Sequence, residues 1–164
     1  MTVFVISDTH IPDRANKLPK KFLRAVKKDD LILHAGDLVT LDVLKKLEAK
    51  ATVHAICGNM DDFEVRDFLP KSKIVQVGAL RVGMFHGSGP PEGLAERVYN
   101  HFREKPEVIL FGHSHRPYNK KIGSSLMFNP GSLTGNLMSA SGSYGILHTE
   151  EKEIWVEIIE IGQT

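Results

Sequence analysis

The sequence predicts an α/β fold in which a mostly parallel sheet is joined by a second, strand-rich sheet. Three observations predict it. Short apolar runs alternate with amphipathic stretches through the first half, the pattern of strand–helix–strand units. The helical period disappears from Leu126 onward, where short strands follow one another. Residues of metal-ligand type recur just past the ends of the apolar runs.

Val3 to Ile6 is the first strand, rich in β-branched residues. Pro19 to Lys28 reads as a helix with Leu18, Phe22, Leu23 and Val26 on one face. Its lysines are then a solvated helix surface. Leu31 to Leu33 is the second strand. Thr40 stands as the N-cap of a helix that turns Leu41, Leu44 and Leu47 inward. Thr52 to Ile56 is the third strand. Ile74 to Val77 and Leu80 to Phe85, separated by Gly78-Ala79, form a hairpin. A helix is expected over Glu92 to Phe102, and a buried strand over Val108 to Phe111. Strands follow at Leu126 to Phe128, Tyr144 to His148 and Ile154 to Ile161, forming the second sheet. No repeat, linker or low-complexity tract interrupts the chain, so 1–164 reads as one domain.

Composition narrows the function. Lys plus Arg total 21 and Asp plus Glu total 20, a balance that leaves no electrostatic footprint for nucleic acid. The lone Cys57 excludes an intrachain disulfide and a CxxC zinc site. No apolar run approaches the ~20 residues of a membrane span, and no signal peptide precedes the first strand. The expectation is a soluble cytoplasmic protein acting on a small molecule. A homo-oligomer stays open.

The chemistry sits at the strand ends. Asp8 and His10 follow VFVIS, Asp37 follows LILHAG, Asn59 follows TVHAICG, His86 follows RVGMF, and His113 and His115 follow VILFG. In open α/β sheets, ligands bind outside the carboxyl ends of the strands. Asp8/His10 and His113/His115 each share an i, i+2 spacing, which in extended backbone puts both side chains on one face. Gly36, Gly58, Gly87 and Gly112 flank these residues and would keep bulk away from a metal or phosphate. Seven donors of N/O type are too many for one tetrahedral ion. They suit two divalent ions sharing a carboxylate, an arrangement that activates hydroxide and clamps both oxygens of a phosphoryl displacement. Manganese is the first choice; Fe, Ni, Co and Zn accept the same donors.

DTH at Asp8 to His10, GDL at Gly36 to Leu38, GNMD at Gly58 to Asp61, His86-Gly87 and GHSH at Gly112 to His115 resemble the ordered motif set of calcineurin-like metallophosphoesterases. FNPGS at Phe128 to Ser132 resembles the small single-domain bacterial and archaeal phosphodiesterase branch. The stretch DTHIPDRANKLPKKF is similar to the N-terminus of the small retromer subunit, a scaffold of the same fold. The resemblance spans about residues 2 to 148. It implies a four-layer αββα sandwich of two mixed sheets flanked by helices. It also implies one ion on Asp8, His10 and His115, a second on Asn59, His86 and His113, and Asp37 as the bridge. Asp37 and Asn59 would also serve catalysis. The implied reaction is phosphodiester hydrolysis, with a phosphomonoesterase or a metal-binding scaffold for protein partners as rivals. One position departs from the pattern. Many members carry His directly after the Asn of the GN motif as a proton donor to the leaving group; here it is Met60. Ser88 likewise replaces a His common in the branch.

Other polar residues have plainer roles. His34 and His54 lie within strands as core or supporting groups. His101 and His148 belong to no motif. Cys57 and Trp155 read as packing residues. Asp61 either orients a ligand or caps the following turn. Asn129 to Ser132 reads as a type II turn.

Overall fold

The computed structural model describes residues 1–135, 141–150 and 153–162. Its strands form two five-stranded sheets. In the first, β1 (Val3–Ile6), β2 (Leu31–His34) and β3 (Thr52–Ala55) run parallel. β9 (Gly142–Glu150) pairs antiparallel with β1, and β10 (Glu153–Gly162) closes that edge. These two strands belong to the first sheet and not to the second, where the sequence pattern puts them: the free edge of β1 takes them. In the second sheet, β4 (Ser72–Val77) and β5 (Leu80–Phe85) form the expected hairpin, with Val77 opposite Leu80. β6 (Val108–Leu110) runs parallel to β5 and to β8 (Ser125–Asn129), and β7 (Tyr118–Ile122) is the far edge. Both sheets are therefore mixed.

Alternation along the strands decides the layering, because successive side chains face opposite ways. Val3, Val5, Leu31 and Leu33 of the first sheet meet Val82, Met84, Val108, Leu110 and Phe128 of the second in one buried cluster. Phe4, Ile6 and Ile32 face outward onto α1 (Lys20–Ala25) and α2 (Leu41–Glu48) through Phe22, Val43, Leu44 and Leu47. Ile109 and Met127 face outward onto α4 (Leu94–His101) through Leu94, Val98 and Phe102. The result is the expected sandwich of four layers, helix, sheet, sheet, helix.

The departures have local causes. α1 stops at Ala25, short of Lys28, because the Asp30 carboxylate takes the backbone N–H of Lys27 at 2.8 Å and of Thr2 at 2.7 Å. Side-chain bonds of this kind compete with continued helix. α4 begins at Leu94, two residues late, since Gly93 enters it with φ +68°. Thr40 does precede α2, but its hydroxyl makes no capping bond. Two elements were not anticipated. α3 (Phe63–Phe68) buries only Val65 and leaves Phe63 and Phe68 exposed, so no helical apolar stripe marks it. β7 carries exposed Asn119, Lys120 and Lys121 and has the polar character of a protected edge strand. No helix among the described residues is long and apolar enough to cross a membrane.

Candidate metal centre

The five loops after β1, β2, β3, β5 and β6 lie side by side and are bonded to one another. Asp8 N–H donates to Gly36 O at 3.0 Å, His10 N–H to Asp37 O at 3.1 Å, and Gly112 N–H to His86 O at 3.2 Å. The backbone there is strained. Among the described residues, six non-glycine positions have positive φ, and five of them are Asp8, His10, Asp37, His113 and His115. Each such conformation costs on the order of 1–3 kcal/mol and persists only where neighbours over-determine it.

This strain brings the polar side chains together. His115 Nε2 lies 3.2 Å from Asp8 Oδ1 and 3.0 Å from His10 Nε2. His86 Nε2 lies 3.2 Å from Asp37 Oδ2 and 3.8 Å from Asp8 Oδ1, and His10 Nε2 lies 3.6 Å from Asp37 Oδ2. Asp8, His10 and His115 form one group able to hold an ion; Asp8, Asp37 and His86 form another. Asp8 thus reaches both groups. Asn59 and His113 pair beside them, with Asn59 Oδ1 2.9 Å from His113 Nδ1 and the His86 and His113 rings 5.5 Å apart.

Hydrogen-bond polarity shows what this arrangement is suited to hold. His86 Nδ1 donates to Ala35 O at 2.7 Å, so its Nε2 faces two carboxylates, protonated when no ion is bound and offering a lone pair to an ion once that proton leaves. That Nε2 is buried against the oxygens of Asp37 and Asp8. His113 Nε2 donates to Gly89 O at 2.8 Å, leaving its Nδ1 lone pair facing the carbonyl oxygen of Asn59. A lone pair facing an acceptor is repelled. A cation between His113 and Asn59, or a turn of the Asn59 amide, removes the repulsion. Metal-bound histidines characteristically donate their other nitrogen to a carbonyl or carboxylate, so the residues fit divalent ions.

Charge in the metal-free cluster is balanced by protons. Burial disfavours the Asp8 carboxylate, but hydrogen bonds from His10 and His115 and the nearby His86 hold it well below the usual carboxylate range. Burial similarly opposes Asp37, and His86 together with the Met60 N–H keeps it low. Burial would depress His86, yet Asp37 and Asp8 raise it to about 9. This raised value is a stability term. His86 stabilises the metal-free fold fully below its unfolded value near 6.5, and that contribution is lost as pH rises through about 9. Metal-free protein is therefore expected to melt at progressively lower temperature between pH 6.5 and 9.5. Divalent metal, which needs neutral His86, should bind more tightly over the same range. Thermal melts with chelator and with metal check both; a flat chelator series would contradict the assignment.

Asp61 orients the site, and the capping role falls to its neighbour. Its carboxylate accepts from Gly58 N–H and Val39 N–H, both at 2.6 Å, and from Asp37 N–H at 3.2 Å. It ties the Asp37 loop to the Asn59 loop. Asp62 caps α3, accepting from Val65 N–H at 2.8 Å. Asp61→Ala should weaken metal binding by about 10- to 100-fold, as losses of such supporting groups do, measured by titration calorimetry. Unchanged affinity would show the two loops hold without it.

The glycines divide. A Cβ at Gly58 would stand 2.1 Å from Asp37 Oδ1, and one at Gly112 would stand 1.9 Å from Ser7 Oγ and 2.7 Å from Asp8 Oδ2. A Cβ at Gly36 would meet His86 Nδ1 at 2.7 Å. Gly87 does not clear the metal site: its Cβ would meet Leu94 and Val98, so it clears the helix layer.

Several supporting residues had no role assigned from the sequence. Ser7 donates to the Asp8 carboxylate, and Ser132 Oγ donates to Asp8 O at 2.8 Å. Arg97 binds the carbonyls of Ser88, Pro90 and Glu92, clamping the loop whose Gly89 carbonyl orients His113. Of the other histidines only His34 stands as a supporting group; His54 is half-buried with Lys73 Nζ 3.5 Å from its Nδ1 and supports no candidate ligand. His34 is fully buried, accepts from Gly36 N–H at 3.2 Å and meets Thr9 Oγ1 at 3.2 Å. His101 stacks on Phe85 and His148 on Trp155. Cys57 is buried in the outer core of the first sheet.

A four-layer sandwich with Asp, His and Asn side chains of metal-ligand type gathered at the ends of five strands has the form of a metallophosphoesterase. The chain belongs to the calcineurin-like phosphoesterase superfamily, whose domain model matches residues 1–152. It is 36% identical over 163 residues, 99% of this chain and 94% of its relative, to a "Probable metallophosphoesterase" of Methanothermobacter thermautotrophicus. Among solved structures, protein TM1076 of Thermotoga maritima is 38% identical, with a TM-score of 0.76 over 96% of this chain and 98% of that one. Two more distant structures share the fold. Chaetomium thermophilum Vps29 has a TM-score of 0.77 at 21% identity, over 97% of each chain. An archaeal phosphodiesterase has a TM-score of 0.70 at 24% identity, over 97% of this chain and 100% of that one.

Proposed function

We propose that the chain is a phosphodiesterase working with two divalent ions, manganese foremost. The observation that carries this reading is the convergence of His86 Nε2, His113 Nδ1 and Asn59 Oδ1 beside the Asp8 and Asp37 carboxylates, with each imidazole fixed through its other nitrogen by a backbone carbonyl. Asp8, His10 and His115 would hold one ion; Asn59, His86 and His113 would hold the other, with Asp37 between them. Such ions, when bound, supply Lewis acidity and a nucleophile at neutral pH. The chain's own share is orientation. Asp61 fixes the Asp37 and Asn59 loops, and Asn59 would also position the phosphoryl oxygens. Met60 holds Asp37 Oδ1 through its backbone N–H at 2.8 Å but offers no proton to a leaving group. The absence of a donor favours diesters with good leaving groups, and a fold-mate that is an archaeal phosphodiesterase agrees with that choice.

The test is turnover of a bis-aryl phosphodiester with added Mn²⁺, beside Asp8→Ala and His86→Ala. Protein that binds metal yet turns over no faster than these variants would sink the enzyme reading. A faster rate on the matching monoester would make it a phosphomonoesterase. The scaffold reading is favoured by one feature, the two exposed aromatic side chains Phe63 and Phe68 on α3.

A further inference from the structure

The metal-site histidines differ in what stands behind them. The outer nitrogens of His86 and His113 donate to backbone carbonyls, Ala35 O and Gly89 O. The outer nitrogen of His115 instead meets a cation: Arg14 Nη1 lies 3.2 Å from His115 Nδ1. A guanidinium only donates. Donation to Nδ1 places the ring proton on Nε2, the atom that faces Asp8 and His10. That is the wrong polarity for supporting a ligand, so supporting His115 does not explain Arg14.

Its position does suggest a role. Arg14 sits on the loop leaving His10, with its N–H bonded to His10 O at 2.7 Å. Its side chain is exposed, one imidazole's width from the Asp8 carboxylate. Among the described residues it forms no ion pair with a carboxylate, and no other side-chain bond of its guanidinium is seen. Arginine presents five N–H groups in a planar fork that matches two phosphate oxygens at once.

We propose that Arg14 is a substrate-binding residue that grips the non-bridging oxygens of the phosphoryl group seated at the metals. This rests on the phosphoesterase reading and adds to it the residue that recognises the phosphate from the solvent side. The contact with His115 parks the guanidinium until a phosphate arrives.

The test compares the full-length, Mn²⁺-loaded protein with R14A and R14K. Titration calorimetry measures inorganic phosphate binding to each, and separate titrations measure Mn²⁺. In R14A, phosphate affinity should fall about 10- to 100-fold, the range of a charge-assisted hydrogen bond, while Mn²⁺ affinity stays within about twofold or rises. R14K should recover part of the phosphate affinity, having the charge without the fork. Phosphate affinity unchanged in R14A overturns the proposal and leaves the enzyme reading intact. A fall in Mn²⁺ affinity beyond twofold in R14A also overturns it, since Arg14 would then be a support for His115. Failure of the loaded wild-type protein to bind phosphate at all would overturn both.

Discussion

Asp37→Asn is expected to reduce phosphodiester turnover by more than about 10³-fold while the protein remains folded. The substitution is chosen to change charge and little else. Asn keeps an acceptor for the Met60 N–H, bonded to Asp37 Oδ1 at 2.8 Å. It also tolerates φ +59°, a value at which most side chains are strained. What disappears is the negative charge 3.2 Å from His86 and 3.6 Å from His10. If Asp37 joins the two ions, that charge carries several kcal/mol of the stabilisation a two-metal centre supplies, and each ~1.4 kcal/mol is a factor of ten in rate. Metal titration should show weakened or incomplete loading of the second ion, and His86 should titrate lower. Full activity in Asp37→Asn would mean that Asp8, which approaches both groups of ligands, bridges the metals alone.

Met60→His is expected to accelerate hydrolysis of alkyl diesters by about 10²-fold and of activated aryl diesters far less. A positioned general acid is worth roughly 10²–10⁴-fold, and its value is greatest when the departing oxygen is basic. The position can accept the change. Met60 is 47% exposed and follows Asn59 directly, so an imidazole there would stand in solvent beside the site. The backbone bond to Asp37 is independent of the side chain. The check is the pair of rates on matched alkyl and aryl substrates. Equal acceleration of both would show that the imidazole acts through the metals or the fold and not as a proton donor.

These predictions depend on residues that were legible to different degrees. The seven candidate ligand positions stood out because each follows an apolar run, and strand ends in such a fold converge by topology. That there are two sheets was legible from the strand-rich second half, but their membership was not: Tyr144 to His148 and Ile154 to Ile161 join β1, and a strand's sequence does not name the edge it pairs with. α3 was hidden because its two phenylalanines face solvent, and β7 because an edge strand keeps lysines. The supporting groups were hidden for a different reason. Ala35 O and Gly89 O orient His86 and His113, but a carbonyl has no identity in sequence. Asp61 could be seen as important yet not assigned, since its three donors come from two separate loops. Arg14 sat inside a stretch resembling a scaffold protein, where nothing linked it to a histidine 101 positions away.

The left-handed backbone at Asp8, His10, Asp37, His113 and His115 has a consequence for how this fold can drift through mutation. A metal centre is usually pictured as something whose decay damages its host. Here the ligand positions are also where conformational energy is stored, on the order of 1–3 kcal/mol apiece. Replacing such a ligand by Gly or Asn removes chemistry and relaxes the chain together. Selection for stability alone would therefore wear the centre away, leaving a sturdy sandwich with its surface intact and free to serve as a docking platform. Asp and His at these five strained positions are then a sign of selection acting on the chemistry, because backbone conformation by itself would favour Gly or Asn there.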